Sequence, residues 1–209
     1  MSSPIIRSYP THTSVIRFLT DSHLRSNGYK VADADPCVYS KCIKESDTTS
    51  LIIIAVYVDD FTLASNDINL LEREKKNLAE KFDMVDQGEI NYILGMRVRR
   101  DRQAGIIRID QSAYLRNVLQ RFGMDECRPI STPMETGKSF EKLAPDEKPV
   151  NLKSYQAAIG SLIYASIGTR PDLSYSVGVL SQYMSHPSEE HWKGVKRVFR
   201  YIQGTWIIV

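Results

Sequence analysis

Leu51-Ile52-Ile53-Ile54-Ala55-Val56-Tyr57-Val58-Asp59-Asp60-Phe61-Thr62-Leu63-Ala64 is the stretch whose reading decides the fold. An uninterrupted apolar run leads into two adjacent carboxylates, and a second apolar stretch leaves them. The run from Leu51 to Val56 follows Thr48-Thr49-Ser50 and suits a buried strand, since a membrane-spanning helix needs about 20 apolar residues. Phe61 to Ala64 then returns antiparallel, which puts Asp59 and Asp60 at the tip of a hairpin. Half-buried carboxylates are normally paired with a cation. No Lys or Arg lies between Lys44 and Arg73, so a divalent metal is the natural counter-ion. Two carboxylates on a rigid tip suit two-metal phosphoryl transfer, with Mg²⁺ or Mn²⁺ as the oxygen-liganded ion. Ordinary turn chemistry, in which Asp bonds its own backbone, is the plain alternative.

Working outward, Thr13 to Asn27 reads as a helix ending near Gly28, and Cys37 to Ile43 as a strand. Asp67 to Phe82 reads as a helix capped by Asn66, with Leu71, Leu78 and Phe82 inward and Glu72 paired to Lys76. After Gly88, strands are expected over Tyr92–Arg99 and Ile106–Ile109 around a polar turn. Arg97, Arg99, Arg100 and Arg102 give that hairpin a cationic character suited to phosphate contact, although exposed turns often carry such charges. Gln111 to Phe122 is an amphipathic helix stopped by Gly123, in which Tyr114 suits either a core position or base stacking.

Pro129, Pro133, Pro145 and Pro149 mark residues 128–153 as a linker. Three helices then follow with short connections: one capped by Ser154 and running to Ile167, one begun by Pro171 and ended by Pro187, and one capped by Ser188. Leu173, Val177, Leu180 and Met184 stripe the second, and Trp192, Val195, Phe199 and Ile202 the third. A small antiparallel bundle is expected. Lys193, Lys196, Arg197 and Arg200 gather on another face of the third helix, either as a phosphate-contacting stripe or as a solvated surface.

Composition narrows the classes. A chain of 209 residues with 42% hydrophobic content builds a core, so disorder throughout is excluded. The net charge of +2 says little about partners by itself. Cys37, Cys42 and Cys127 lack metal-ligand or disulfide spacing, and His186 and His191 lack partners at zinc-ligand spacing. With neither a signal-peptide core nor a membrane-spanning run, the expectation is a soluble intracellular protein that binds no membrane.

Tyr57-Val58-Asp59-Asp60 resembles the YxDD hairpin of reverse transcriptases, and its surroundings resemble the copia-type retrotransposon branch. The resemblance runs from about Val15 to Thr205. It is carried by Asp35-Pro36-Cys37-Val38-Tyr39, Tyr92-Ile93-Leu94-Gly95-Met96, Gln111-Ser112-Ala113-Tyr114 and Ser131-Thr132-Pro133. It continues in Gly160-Ser161-Leu162-Ile163-Tyr164, Thr169-Arg170-Pro171-Asp172, His191-Trp192 and Arg200-Tyr201-Ile202-Gln203-Gly204-Thr205. The resemblance implies an α+β fold: an incomplete right-hand polymerase palm of antiparallel strands with its primer-grip-like hairpin and following helix over residues 1–127, then, beyond the linker, a helical thumb-like region over 154–209. It implies template-directed DNA synthesis from deoxynucleoside triphosphates on an RNA or DNA template-primer.

Asp59 is then a metal ligand, Asp60 an auxiliary carboxylate, and Tyr57 and Val58 face the template-primer. Leu94, Gly95 and Arg97 belong to the primer grip, where Gly95 permits a close backbone approach or marks a bulge.

The family's third carboxylate lies in an earlier segment similar to Asp-Val-x-x-Ala-Phe, which this sequence does not contain. None of Asp21, Asp33, Asp35 and Asp47 matches it. Ser2 to His12 stands where the fingers region would lead in, and the chain stops at Trp206-Ile207-Ile208-Val209, ahead of the family's ribonuclease H. The expectation is a piece of a retrotransposon polyprotein that is inactive alone and binds metal weakly. A non-catalytic nucleic-acid-binding module and an inactive interaction remnant are the alternatives.

Overall fold

Antiparallel pairing of β-branched and aromatic segments builds the first half of the chain, in a computed structural model that describes residues 4–8, 13–45, 48–144 and 147–205. In chain order this half holds β1 (Pro4–Ser8), α1 (Thr13–Ser26), β2 (Lys30–Val31), β3 (Val38–Glu45), β4 (Thr48–Tyr57), β5 (Asp60–Ser65), α2 (Ile68–Phe82) and β6 (Met84–Glu89). The strands form one sheet in the order β2-β3-β4-β5-β1-β6. Alternation decides its faces. Ile52 and Ile54 of β4 and Phe61 and Leu63 of β5 are buried with Leu24 of α1 and Leu70, Leu71 and Leu78 of α2, while Ile53 points away and is exposed. Each such side chain removed from water contributes roughly 1.5–3 kcal/mol.

Two local readings need correction here. Asp67, rather than Asn66, caps α2, its Oδ1 accepting from the Asn69 and Leu70 N–H groups at 2.9 and 3.2 Å. Asn66 is occupied in tying down the end of β4, accepting from Leu51 N–H and donating to the Thr49 carbonyl. Glu72 pairs with Lys75 instead of Lys76, because Lys75 also reaches Asp86 at 3.0 Å. The segment read as a mere replacement of a fingers lead-in supplies β1, which pairs with both β5 and β6.

The second half holds β7 (Tyr92–Ile93), β8 (Met96–Asp101), β9 (Ile106–Asp110), α3 (Ser112–Arg121), α4 (Leu152–Gly168), a short 3₁₀ turn (Pro171–Leu173), α5 (Ser174–Ser181) and α6 (Glu189–Thr205). The expected strand Tyr92–Arg99 is broken into two. Leu94 and Gly95 adopt φ of 50° and 75°, the left-handed pair that reverses a chain in a two-residue hairpin, so Ile93 pairs with Met96. The polar turn after Asp101 then joins β8 to β9 as expected. Asn151 caps α4 in place of Ser154, accepting the Ser154 N–H at 2.9 Å. The helix begun by Pro171 ends at Ser181 rather than carrying Met184.

The chain divides into two compact units, Met1–Ile90 and Asn91–Val209. The boundary expected at residues 128–153 is not where it divides. Leu115, Val118 and Leu119 of α3 share one core with Leu162 of α4, Leu180 of α5 and Phe199 of α6, which places α3 with the helices. Residues 128–144 and 147–150 lack helix and strand, yet they are strapped onto that core. Met134, Phe140 and Val150 pack on it, Tyr183 Oη donates to the Phe140 carbonyl at 2.7 Å, and Val150 N–H donates to the Pro187 carbonyl at 3.0 Å. Tyr114 proves to be core, its hydroxyl donating to the Ser161 carbonyl.

Two buried polar groups organise this unit. Arg170, 3% exposed, donates to Asp172 through two nitrogens at 2.9 and 2.7 Å and to the Thr205 carbonyl and hydroxyl, closing the C-terminal end of α6. His191 is fully buried and accepts the Ser188 N–H at Nδ1 at 2.8 Å, so the ring is neutral with its proton on Nε2. Burial holds its pKa below the ordinary imidazole value, outweighing the opposing influence of the Glu141 backbone and of the Glu147 and Glu190 charges.

Truncating Phe199, fully buried and stacked on Phe122 at 5.1 Å, to Ala should cost about 3–5 kcal/mol in urea unfolding, whereas Ile167→Ala, exposed, should cost under about 0.5. For His191 the native state binds fewer protons than the unfolded chain once the pH falls below about 6.5, so stability drops as pH falls through that window. Thermal melts of the wild type and His191→Gln from pH 8 to pH 5 should therefore converge on acidification, the wild type losing more.

Candidate polymerase hairpin and nucleic-acid interface

The β4–β5 connection is as short as a hairpin allows. Tyr57 pairs with Asp60, leaving Val58 and Asp59 as the loop. Val58 has a φ of 53°, a left-handed conformation that a β-branched side chain rarely adopts and that costs of order 1–3 kcal/mol. The turn therefore holds a strained residue at its apex. Tyr57 and Val58 are 57% and 52% exposed, so two large apolar side chains face out of the sheet beside the carboxylates. Asp59 and Asp60 are half-buried, and Asp60 has an interaction partner within the chain.

No cation was visible near these aspartates in the local sequence. The β1–β5 backbone register sets position 7, an arginine in the sequence, opposite Asp60. Asp59 and Asp60 are hard oxygen donors of the kind Mg²⁺ or Mn²⁺ takes. Among the described residues, however, no group of three or more His, Cys, Asp or Glu side chains is placed to hold a metal ion. Two of the earlier carboxylates have other partners. Asp21 pairs with Arg25 at 2.9 Å and accepts the Tyr39 hydroxyl, and Asp35 accepts the Cys37 N–H. Asp47 lies outside the described residues. The described side chains therefore do not fit a complete two-metal site by themselves.

In the second unit, Leu94 and Gly95 form the apex of the β7–β8 turn. Tyr164 Oη of α4 donates to the Leu94 carbonyl and lies 3.0 Å from where a Cβ on Gly95 would stand. Glycine is required there both by the positive φ and by this contact. Leu94 is exposed, as is Arg97 on the following strand. Arg97 lines a cleft of about 300 Å³ with Gly95, Arg99 and the start of α3, among them Gln111 and Arg116. Gln111, directly before α3, lines this cleft beside the cationic strand pair, a placement that its position at the start of a helix does not reveal.

Lys193, Lys196, Arg197 and Arg200 do share one face of α6 and line one groove with Glu135, Lys138 and Glu190. That face is partly committed within the protein. Arg197 donates to Glu135 at 2.7 Å and to the Thr132 hydroxyl, and Arg200 donates to the Arg128 carbonyl at 2.8 Å, so both hold the 128–135 strap. Lys193 pairs with Glu190 at 3.0 Å and Lys196 lies over the Trp192 ring. An exposed ion pair such as Lys193–Glu190 contributes about 0–1 kcal/mol. No helix among the described residues is long and apolar enough to cross a membrane.

A family profile described as reverse transcriptase (RNA-dependent DNA polymerase) matches residues 14–136. The retrovirus-related Pol polyprotein from transposon TNT 1-94 of Nicotiana tabacum is 38% identical over 190 residues, covering 88% of this chain and 14% of that protein. The corresponding polyprotein from transposon RE2 of Arabidopsis thaliana is 36% identical over 156 residues, covering 75% of this chain and 10% of its own length. An uncharacterized mitochondrial protein of Arabidopsis thaliana is 31% identical over 152 residues, covering 73% of this chain and 61% of that protein. The chain thus spans 14% or less of the length of these two polyproteins. No solved structure matches it. On the extent of these matches, the chain belongs to the reverse transcriptase (RNA-dependent DNA polymerase) family, in the form carried by the Pol polyproteins of copia-type transposons.

Proposed function

We propose that this chain carries the later palm and the thumb of a copia-type reverse transcriptase, that Asp59 and Asp60 are its share of the catalytic carboxylates, and that it does not polymerise alone. The observation that carries the reading is the hairpin tip: a two-residue loop with Val58 at positive φ, two half-buried aspartates, and Tyr57 and Val58 exposed beside them. Strain held at one apex residue by a surrounding sheet is a mark of functional turns. In the complete enzyme the primer 3′-hydroxyl attacks the α-phosphorus of a deoxynucleoside triphosphate and pyrophosphate leaves.

In this reading Asp59 ligands Mg²⁺ or Mn²⁺ directly, Asp60 supports it, and Tyr57 and Val58 lie against the template-primer. Leu94, Gly95 and Arg97 approach the primer strand, and Lys193, Lys196, Arg197 and Arg200 meet backbone phosphates beyond it. The partners are an RNA or DNA template-primer, deoxynucleoside triphosphates and other parts of a Pol polyprotein. Two carboxylates without a third ligand hold the metal weakly and position a triphosphate poorly, which is why isolated activity is not expected. The cationic cleft beside Arg97 favours retained nucleic-acid binding as the second reading, over an inactive interaction remnant.

Primer extension on a primed RNA template with Mg²⁺ or Mn²⁺ should give no product above background for the folded chain or for its Asp59→Asn, Asp60→Asn variant. Product from the wild type that vanishes in the variant would reveal a third ligand and overturn the inactivity. Binding of a labelled primer-template duplex, followed by fluorescence anisotropy, should weaken steeply with added salt. Lys193→Ala with Lys196→Ala should lower affinity about tenfold and flatten the slope of log K against log salt by about 1–2, without disturbing the strap held by Arg197 and Arg200. Salt-independent binding would refute the phosphate contacts.

A further inference from the structure

We propose that the outer edge of β9 is a docking site for an extended segment of another protein, one that carries an acidic side chain between two apolar ones and adds a strand to the β7-β8-β9 sheet. The inference goes beyond the nucleic-acid reading and does not rest on it. β9 is the terminal strand of its sheet, paired only with β8 among the described residues. Which of its backbone groups stay open follows from one hydrogen bond. Val98 N–H donates to the Asn91 carbonyl at 2.8 Å, so the backbone groups of Val98 face β7 and those of its neighbours Arg97 and Arg99 face β9. Alternation along the ladder then turns Arg108 and Asp110 toward β8, while the N–H and C=O of Ile107 and Ile109 point out of the sheet. Open donors and acceptors at strand spacing are a template for a further strand.

The side chains select that strand. Partners in an antiparallel ladder share a face, so Ile107 and Ile109 stand with Val98 on one side and Arg108 stands beside Arg99 on the other. Val98 is 6% exposed, whereas Ile107 and Ile109 are 57% and 45% exposed at the rim of the same face. Apolar residues left in water on an open edge are a liability, and a strand with apolar side chains beside them covers both. On the other face Arg108 is exposed and lies directly across from Arg99, a like-charge pair that destabilises the ladder. The carboxylates of that face are engaged elsewhere. Asp110 lies 3.9 Å from Arg99 and accepts the Ser112 N–H at 3.1 Å, and Asp101 accepts the Ala104 N–H at 2.9 Å. A carboxylate on the incoming strand, at the open side of Arg108, answers the imbalance. A second copy of the chain does not: antiparallel pairing of β9 with itself, with Ile107 opposite Ile109, sets the two Arg108 side chains against each other.

The test is an amide NMR titration of the full chain with two synthetic peptides, Thr-Val-Glu-Val-Thr and Thr-Val-Lys-Val-Thr, repeated on Arg108→Glu. The variant keeps the fold, because the exposed side chain it alters is replaced by one of opposite charge to Arg99. With the wild type, the glutamate peptide should shift the Ile107 and Ile109 amides saturably and slow their hydrogen exchange, and should bind about 5–10-fold more tightly than the lysine peptide. In Arg108→Glu that order should reverse. Equal affinities for the two peptides, shifts confined to other residues, or no saturation by either peptide at low millimolar concentration would each overturn the proposal. Ile107 and Ile109 shifts that grow with protein concentration alone, with sedimentation equilibrium giving a dimer, would assign the edge to a second copy and overturn the foreign partner. Shifts of the same amides by a primer-template duplex, with both peptides silent, would make this a nucleic-acid surface and overturn it too.

Discussion

The pairing of Tyr57 with Asp60 is the constraint from which the first unit follows. A two-residue loop fixes the register of β4 against β5, and the register fixes which side chains enter the core. With Ile54 opposite Leu63 and Ile52 opposite Ser65, the inward positions of both strands meet α1 and α2. A slip of one residue would turn Phe61 and Leu63 to water and carry the aspartates off the tip. The strain at Val58 is tolerated because the long ladders on either side of it, from β3 through β1, overdetermine the turn.

The second unit depends on a different economy of polar groups. Arg170 and His191 are buried in a helical core where an unpaired charge would be costly, and each is resolved differently. Arg170 keeps its charge because Asp172 and the end of α6 absorb its donors. His191 gives up its charge and serves as an acceptor at the start of the same helix. One buried residue therefore secures each end of α6, and the strap over residues 128–135 is held to the face between them by Arg197 and Arg200. Residues that a sequence motif reads as phosphate contacts thus also carry part of the fold.

Much of this was legible in the residues. Apolar runs and periodicities located all six helices of the described residues to within a few positions, together with the central hairpin, because those signals come from burial of one face. The errors fell where two neighbours compete for one local role. Asn66 and Asp67 are both good caps, and only the strand end that needs Asn66 decides between them. Tyr92 to Arg99 alternates like one strand, but Leu94-Gly95 turns it back. The Pro-rich stretch looks like a linker by composition, whereas its few apolar residues, Met134, Phe140 and Val150, find the helical core. Among the candidate site residues, the hairpin set is proposed from local chemistry and family resemblance. The open edge of β9 cannot be read that way, since an edge exists only once strands have paired.

The sequence by itself determined the antiparallel hairpin with its two aspartates, the amphipathic helices and membership of the family, because each is written in local order along the chain. Tertiary structure alone decided that β1 lies beside β5 with position 7 across from Asp60 in the backbone register, that the chain divides after Ile90, and that Arg197 and Arg200 brace a strap. It also decided that β9 is left with an open edge. The physical reason is common to all of these: they are contacts between residues far apart in sequence, chosen by competition for buried space and hydrogen-bond partners that no local pattern records.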